Sequence, residues 1–151
     1  MSTAGPRSAL ALLALVVGVL AIVACSAPSD PQASAATQSV TVDGQPWRLL
    51  VAGDDGMRGR DGFGEADGML FDMEADVPPN SVAFVMDGVT IPLAIAWFAS
   101  DGTLVGQSRM EPCPAEPCER HVAPAPFRWA IEGRPGAFAE LGPDARLDVT
   151  P

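Results

Sequence analysis

Lysine and tyrosine are absent from this chain of 151 residues, and histidine occurs once, at position 121. All nine basic residues are therefore Arg, set against nineteen Asp and Glu, for a net charge of −10. So acidic a chain is repelled by phosphate, which argues against nucleic acid as a partner. It also lacks the basic patch that would hold it to an anionic membrane. No Gly-rich phosphate loop, Ser nucleophile elbow or HExxH helix is present, and no internal repeat. With no catalytic or cofactor motif, no cofactor is expected. What the chain does contain is fifteen Gly and fifteen Pro, the punctuation of a turn-rich fold.

The first 24 residues read as a leader. Arg7 is the only charge before Asp30, and Ala9 to Ala24 is an apolar run broken only by Gly18. Sixteen residues at helical rise reach ~24 Å, short of the ~30 Å hydrocarbon core, so a secretory signal is expected here, not a membrane span. Ile22-Val23-Ala24-Cys25 resembles the lipobox of bacterial lipoproteins, in which the Cys is acylated and becomes the mature N-terminus. The expectation is lipidation at Cys25 and an extracytoplasmic protein anchored to a bacterial cell membrane. Residues 25–38 are, after the Cys, Ser, Ala, Pro and Gln with one Thr and a single Asp, the composition of a flexible tether. Residues 39–151 then form one domain, a length sufficient for a single core.

Strand signals dominate that domain. Val40–Val42 meets Trp47–Val51 across Asp43-Gly44, a hairpin turn dipeptide. Gly68–Met73, Ser81–Met86, Ile91–Phe98, Thr103–Val105, Phe127–Ile131 and Arg146–Val149 are further strand candidates. Short helices are expected at Asp54–Arg60 and Gly136–Leu141. The fold class predicted is mostly β: a single compact sandwich or jelly-roll-like open barrel with one or two short helices.

Gly68-Met69-Leu70-Phe71, Phe84-Val85-Met86, Ile91-Pro92-Leu93, Asp101-Gly102 and Pro112-Cys113 through Pro117-Cys118 occur in that order. In this the chain resembles domain-of-unknown-function family 192, a bacterial and archaeal family, over about Val40 to Val149. The resemblance implies a compact, mostly-β, often exported domain and no assigned reaction. The chain departs from the family pattern at Arg60-Asp61, at Val85 in place of Trp, at Asp87-Gly88-Val89-Thr90 in place of an Asn-Thr step, and at Ala94 in place of Asp.

Cys113 and Cys118 enclose four residues, and His121 follows three positions later. These are ligand types for a soft metal, but export favours a disulfide, and one His completes no tetrahedral set. Met57, Met69, Met73, Met86 and Met110 lack the clustering of a copper site and are expected in the core. Asp54, Asp55, Asp61, Glu65, Asp67, Asp72, Glu74 and Asp76 crowd one stretch without the ordered calcium-loop spacing, and read as solvated. Trp97, Phe98, Phe127 and Trp129 are expected in the core. Arg109, Glu111, Arg120 and His121 flank the cysteine loop and form a candidate recognition surface. Two functions remain. One is a non-enzymatic module binding an envelope ligand or protein; the other is a hydrolase acting on an envelope carbohydrate or ester.

Overall fold

The computed structural model describes residues 36–150; the leader, Cys25 and the tether to residue 35 lie outside the described residues. Nine strands follow in chain order: β1 (Thr37–Val42), β2 (Gln45–Val51), β3 (Gly68–Val77), β4 (Ala83–Phe84), β5 (Leu93–Phe98), β6 (Leu104–Met110), β7 (His121–Val122), β8 (Phe127–Gly133) and β9 (Leu147–Val149). β1 begins at Thr37, so the first strand takes in the last two residues of the expected tether.

The β1–β2 hairpin forms for a local reason. Asp43 and Gly44 both take positive φ, 50° and 76°, the handedness that matches the twist of adjoining strands. β2 and β3 pair in parallel, which requires a crossover, so residues 52–67 traverse one face of the sheet. The main sheet runs β6-β5-β8-β3-β2-β1-β9, and β4 and β7 form a separate two-stranded ribbon.

The two edges of the seven-stranded sheet meet. Thr103 bridges Arg146, the Leu104 N–H donates to the Ala145 carbonyl at 3.1 Å, and the Leu147 N–H donates to the Gly102 carbonyl at 2.8 Å. Gly102 makes this closure possible: its φ is +83°, and a Cβ there would lie 2.2 Å from the Leu147 carbonyl oxygen. The sheet thus curls into an open barrel, as the sequence led us to expect.

Side-chain alternation divides the core in two. Val40, Val42, Leu49, Leu70, Ala96, Phe98, Ile131 and Leu147 gather on one face with Phe138. Leu50, Met69, Ile95, Trp97 and Ala130 gather on the other, covered by Met57, Phe63, Phe84, Met86 and Val89 from the crossover, the ribbon and the loop after it. All six residues of β5 are buried, since it has protein on both faces. Trp97 and Phe98 each contribute on the order of 3 kcal/mol through burial.

The two expected helices are runs of turns, and the described residues contain no helix. In residues 53–60 the N–H groups of Gly56, Arg58 and Arg60 donate to the carbonyls of Gly53, Asp55 and Met57. Gly56 and Gly59 take positive φ, which breaks any right-handed continuation. The same pattern recurs at Ala137, Ala139 and Leu141, with Gly136 at +80°. Left-handed glycines, Gly56 and Gly59 in the first stretch and Gly136 in the second, keep these turns from joining into a helix.

Candidate ligand-binding site

β8 is an interior strand of the sheet, with β3 and β5 on either side. Glu132 pairs with Met69 and with Ile95, in phase with Ala130, so its side chain enters the face covered by the crossover. It is 6% exposed, and its Oε2 has no hydrogen-bond partner among the described residues. Burial among apolar groups pushes the carboxyl up to about 7, because the charged form loses hydration that nothing replaces.

Glu132 reaches a cleft of ≈ 280 Å³ between the first turns of the crossover and the segment 82–89. Phe71, Met73, Phe84 and Val89 contribute its apolar walls. Phe71 and Phe84 meet edge to face, with centroids 5.2 Å apart and planes at 85°. Asp54 and Asp55 are exposed at the rim, where Arg58 and Asp87 also form an ion pair at 2.5 Å. The arrangement offers one buried acid at the end of an apolar, aromatic slot with an acidic mouth. Protonated, that acid can donate or accept a hydrogen bond; ionised, it can hold a cation.

The model of domain-of-unknown-function family 192, described as uncharacterized ACR, matches residues 50–149. The chain belongs to this family. Among solved structures, a protein of Sinorhizobium meliloti 1021 described as a candidate transcription regulator superposes with a TM-score of 0.61 at 23% identity, covering 77% of this chain and 95% of its own. A protein of unknown function from Novosphingobium aromaticivorans DSM 12444 superposes with a TM-score of 0.61 at 20% identity, covering 82% of this chain and 94% of its own. At such identities the likeness establishes the fold. No curated protein matches the chain. Two positions singled out from the sequence, Val85 and Asp87, line the Glu132 cleft. A third, Ala94, lies on β5 with the opposite core cluster.

The residues singled out from sequence are distributed differently. Cys113 and Cys118 form a disulfide with Cα atoms 5.5 Å apart, and Cys113 packs on the core face that carries Glu132. Their sulfurs are thus not free thiolates for zinc. Asp87, Glu116 and Cys118 place ligand-type atoms within 4.8 Å of one another, but the sulfur belongs to the disulfide and Asp87 pairs with Arg58. Arg109 and Glu111 form an exposed ion pair, and Arg120 is exposed. His121 is buried at 6% exposure, its Nδ1 3.4 Å from Ser108 Oγ and its Nε2 without a partner among the described residues. The structure therefore leaves Arg109, Glu111 and Arg120 at the surface and takes His121 into the interior.

Met57, Met69, Met86 and Met110 are buried and Met73 half-buried, all in one core cluster. Several of the crowded carboxylates have structural partners. Arg128 donates to both oxygens of Asp72, at 2.9 and 3.1 Å, which lowers the Asp72 carboxyl. Asp67 accepts from the Arg48 N–H and Asp76 from the Ser100 N–H. A wider cleft of ≈ 480 Å³ includes Asp61, Phe63, Pro92 and Arg134. There Arg134 is engaged by the carbonyls of Ala66 and Gly64 and lies over the Phe63 ring.

Glu132 was not among the candidates from sequence. Its signal is the alternation of β8, which continues one turn of the pleat beyond Ile131 and places a carboxylate in phase with buried Ala130.

Proposed function

We propose that this family-192 protein is a lipid-anchored, extracytoplasmic binding module that holds a small envelope ligand in the Glu132 cleft and performs no chemistry on it. The observation that carries the reading is the unpartnered Oε2 of Glu132, more than nine-tenths buried, in a slot walled by Phe71 and Phe84. A buried polar group without a partner is costly, and a ligand that supplies the missing bond offsets the cost. The short leader ending in Ala24-Cys25 supports the anchor, and a Cys113–Cys118 disulfide suits an oxidising compartment.

The second reading is a hydrolase acting on an envelope carbohydrate or ester. The raised Glu132 carboxyl favours it, since a general acid must hold its proton near neutral pH. Such chemistry commonly enlists a second convergent carboxylate. The other acids of the cleft are Asp54 and Asp55, exposed at its rim, and Asp87, engaged by Arg58.

Both parts are testable in a bacterium that processes lipoproteins. The protein should acquire the mass of an acylated chain beginning at Cys25, and Cys25→Ser should retain the leader; an unchanged mature mass in that variant refutes the anchor. Fragments screened by ligand-observed NMR should bind wild-type protein and lose binding in Glu132→Leu. Binding indifferent to that change refutes the site, and turnover of an ester or glycoside fragment establishes the hydrolase instead.

A further inference from the structure

We infer that the Glu132 cleft selects a small organic cation, an ammonium group carried on an apolar body. This rests on the binding reading above and names its ligand class.

The charges around the cleft are the first ground. Arg58 is the cation of the lining, and its guanidinium is bound to Asp87 at 2.5 Å. Asp54 and Asp55 leave the mouth net negative, and Glu132 adds an acid at its end. An anionic ligand would therefore meet repulsion at the rim and again inside. The chain as a whole carries −10 with no lysine, so its long-range field also draws cations.

The surroundings of the acid are the second ground. Its cross-strand neighbours, Met69 and Ile95, bring no charge. Beyond Ile95 lies Ser108, and the titratable His121 of β7 is held against Ser108, two strands from β8. Glu132 thus has an acceptor oxygen with no hydrogen-bond partner among the described residues. Because burial holds the carboxyl near 7, it can release its proton as a cation arrives and gain the ion pair that the fold withholds.

The walls are the third ground. The edge-to-face pair of Phe71 and Phe84 presents aromatic surface to whatever occupies the slot. An ammonium group gains from aromatic faces as well as from a carboxylate, whereas an alcohol of the same shape gains mainly the hydrogen bond. Met73 and Val89 accept the apolar body.

Three probes sharing one ring separate the possibilities: benzylamine, benzyl alcohol and benzoate, titrated calorimetrically into purified full-length protein at neutral pH. The ammonium form of benzylamine should bind about tenfold more tightly than the alcohol, and benzoate should not bind. Glu132→Gln should remove that preference while leaving alcohol binding within about threefold. If Glu132→Gln fails to fold, Glu132→Leu serves, with loss of amine binding expected. Alcohol binding equal to or tighter than amine binding, still dependent on Glu132, would overturn the cation class and leave the binding site standing. An amine preference that survives at position 132 assigns selectivity to the rim aspartates and refutes the inference. If none of the three binds, both the ligand class and the cleft's binding role fall.

Discussion

Gly68 passes so close to Glu132 that a side-chain carbon at position 68 would lie 2.3 Å from the Glu132 carbonyl oxygen. That approach brings β3 against β8 in the register that pairs Met69 with Glu132 and sends the acid into the cleft. Gly68→Ala forces the strands apart and should destabilise the domain by about 3 kcal/mol, the upper range for overpacking. Denaturant unfolding measures it, and a midpoint equal to wild type would show that the contact yields freely.

Glu132 makes stability depend on pH. Its carboxyl titrates at about 7 when folded against an ordinary value of 4.5, so the folded state binds the extra proton between those limits. Stability should therefore fall as pH rises from below 4.5 through 7, by about 3 kcal/mol for this group alone. Glu132→Gln, which cannot ionise, should flatten that slope and be the more stable protein above pH 7. Unfolding curves across pH 4–8 for both proteins check the sign.

The disulfide closes a small ring, and chain entropy assigns it about 2 kcal/mol. Cys113→Ser with Cys118→Ser should lower stability by about that amount. The barrel should persist, because the ring encloses only residues 114–117 and spans no strand. Circular dichroism retaining the strand signature, with a reduced unfolding midpoint, is the expected result.

Asp72 and Arg128 report on the β3–β8 pairing from the opposite direction. The bidentate hydrogen bonds of Arg128 hold the Asp72 carboxyl below its ordinary 3.8. This contribution is present above pH 4 and is lost as pH falls through the folded value. Both side chains are about one-third exposed, so solvent screens the pair and Arg128→Ala should lower stability only slightly. The clearer readout is an NMR titration in which the Asp72 carboxyl moves upward in the variant.

Much of the architecture is legible from local signals. The Asp43-Gly44 hairpin forms because two adjacent residues can take positive φ, a property of those residues and not of their surroundings. The strand at Leu93–Phe98 announces itself by an unbroken apolar run, and two cysteines five positions apart approach easily enough to pair. Order and spacing of short motifs were sufficient to place the chain in its family.

The site was decided elsewhere. Whether Glu132 is buried depends on Met69 and Ile95 on neighbouring strands, and on a crossover that starts some 80 residues earlier in the chain. His121 reads as an exposed loop residue until β7 pairs with β4 and carries it inward against Ser108. Barrel closure needs Gly102 to meet Leu147. Backbone chirality, turn chemistry and hydrophobic period act over a few residues and can be read in order along the chain. Burial of a charge depends on which distant segments exclude water from it, and only the assembled fold determines that.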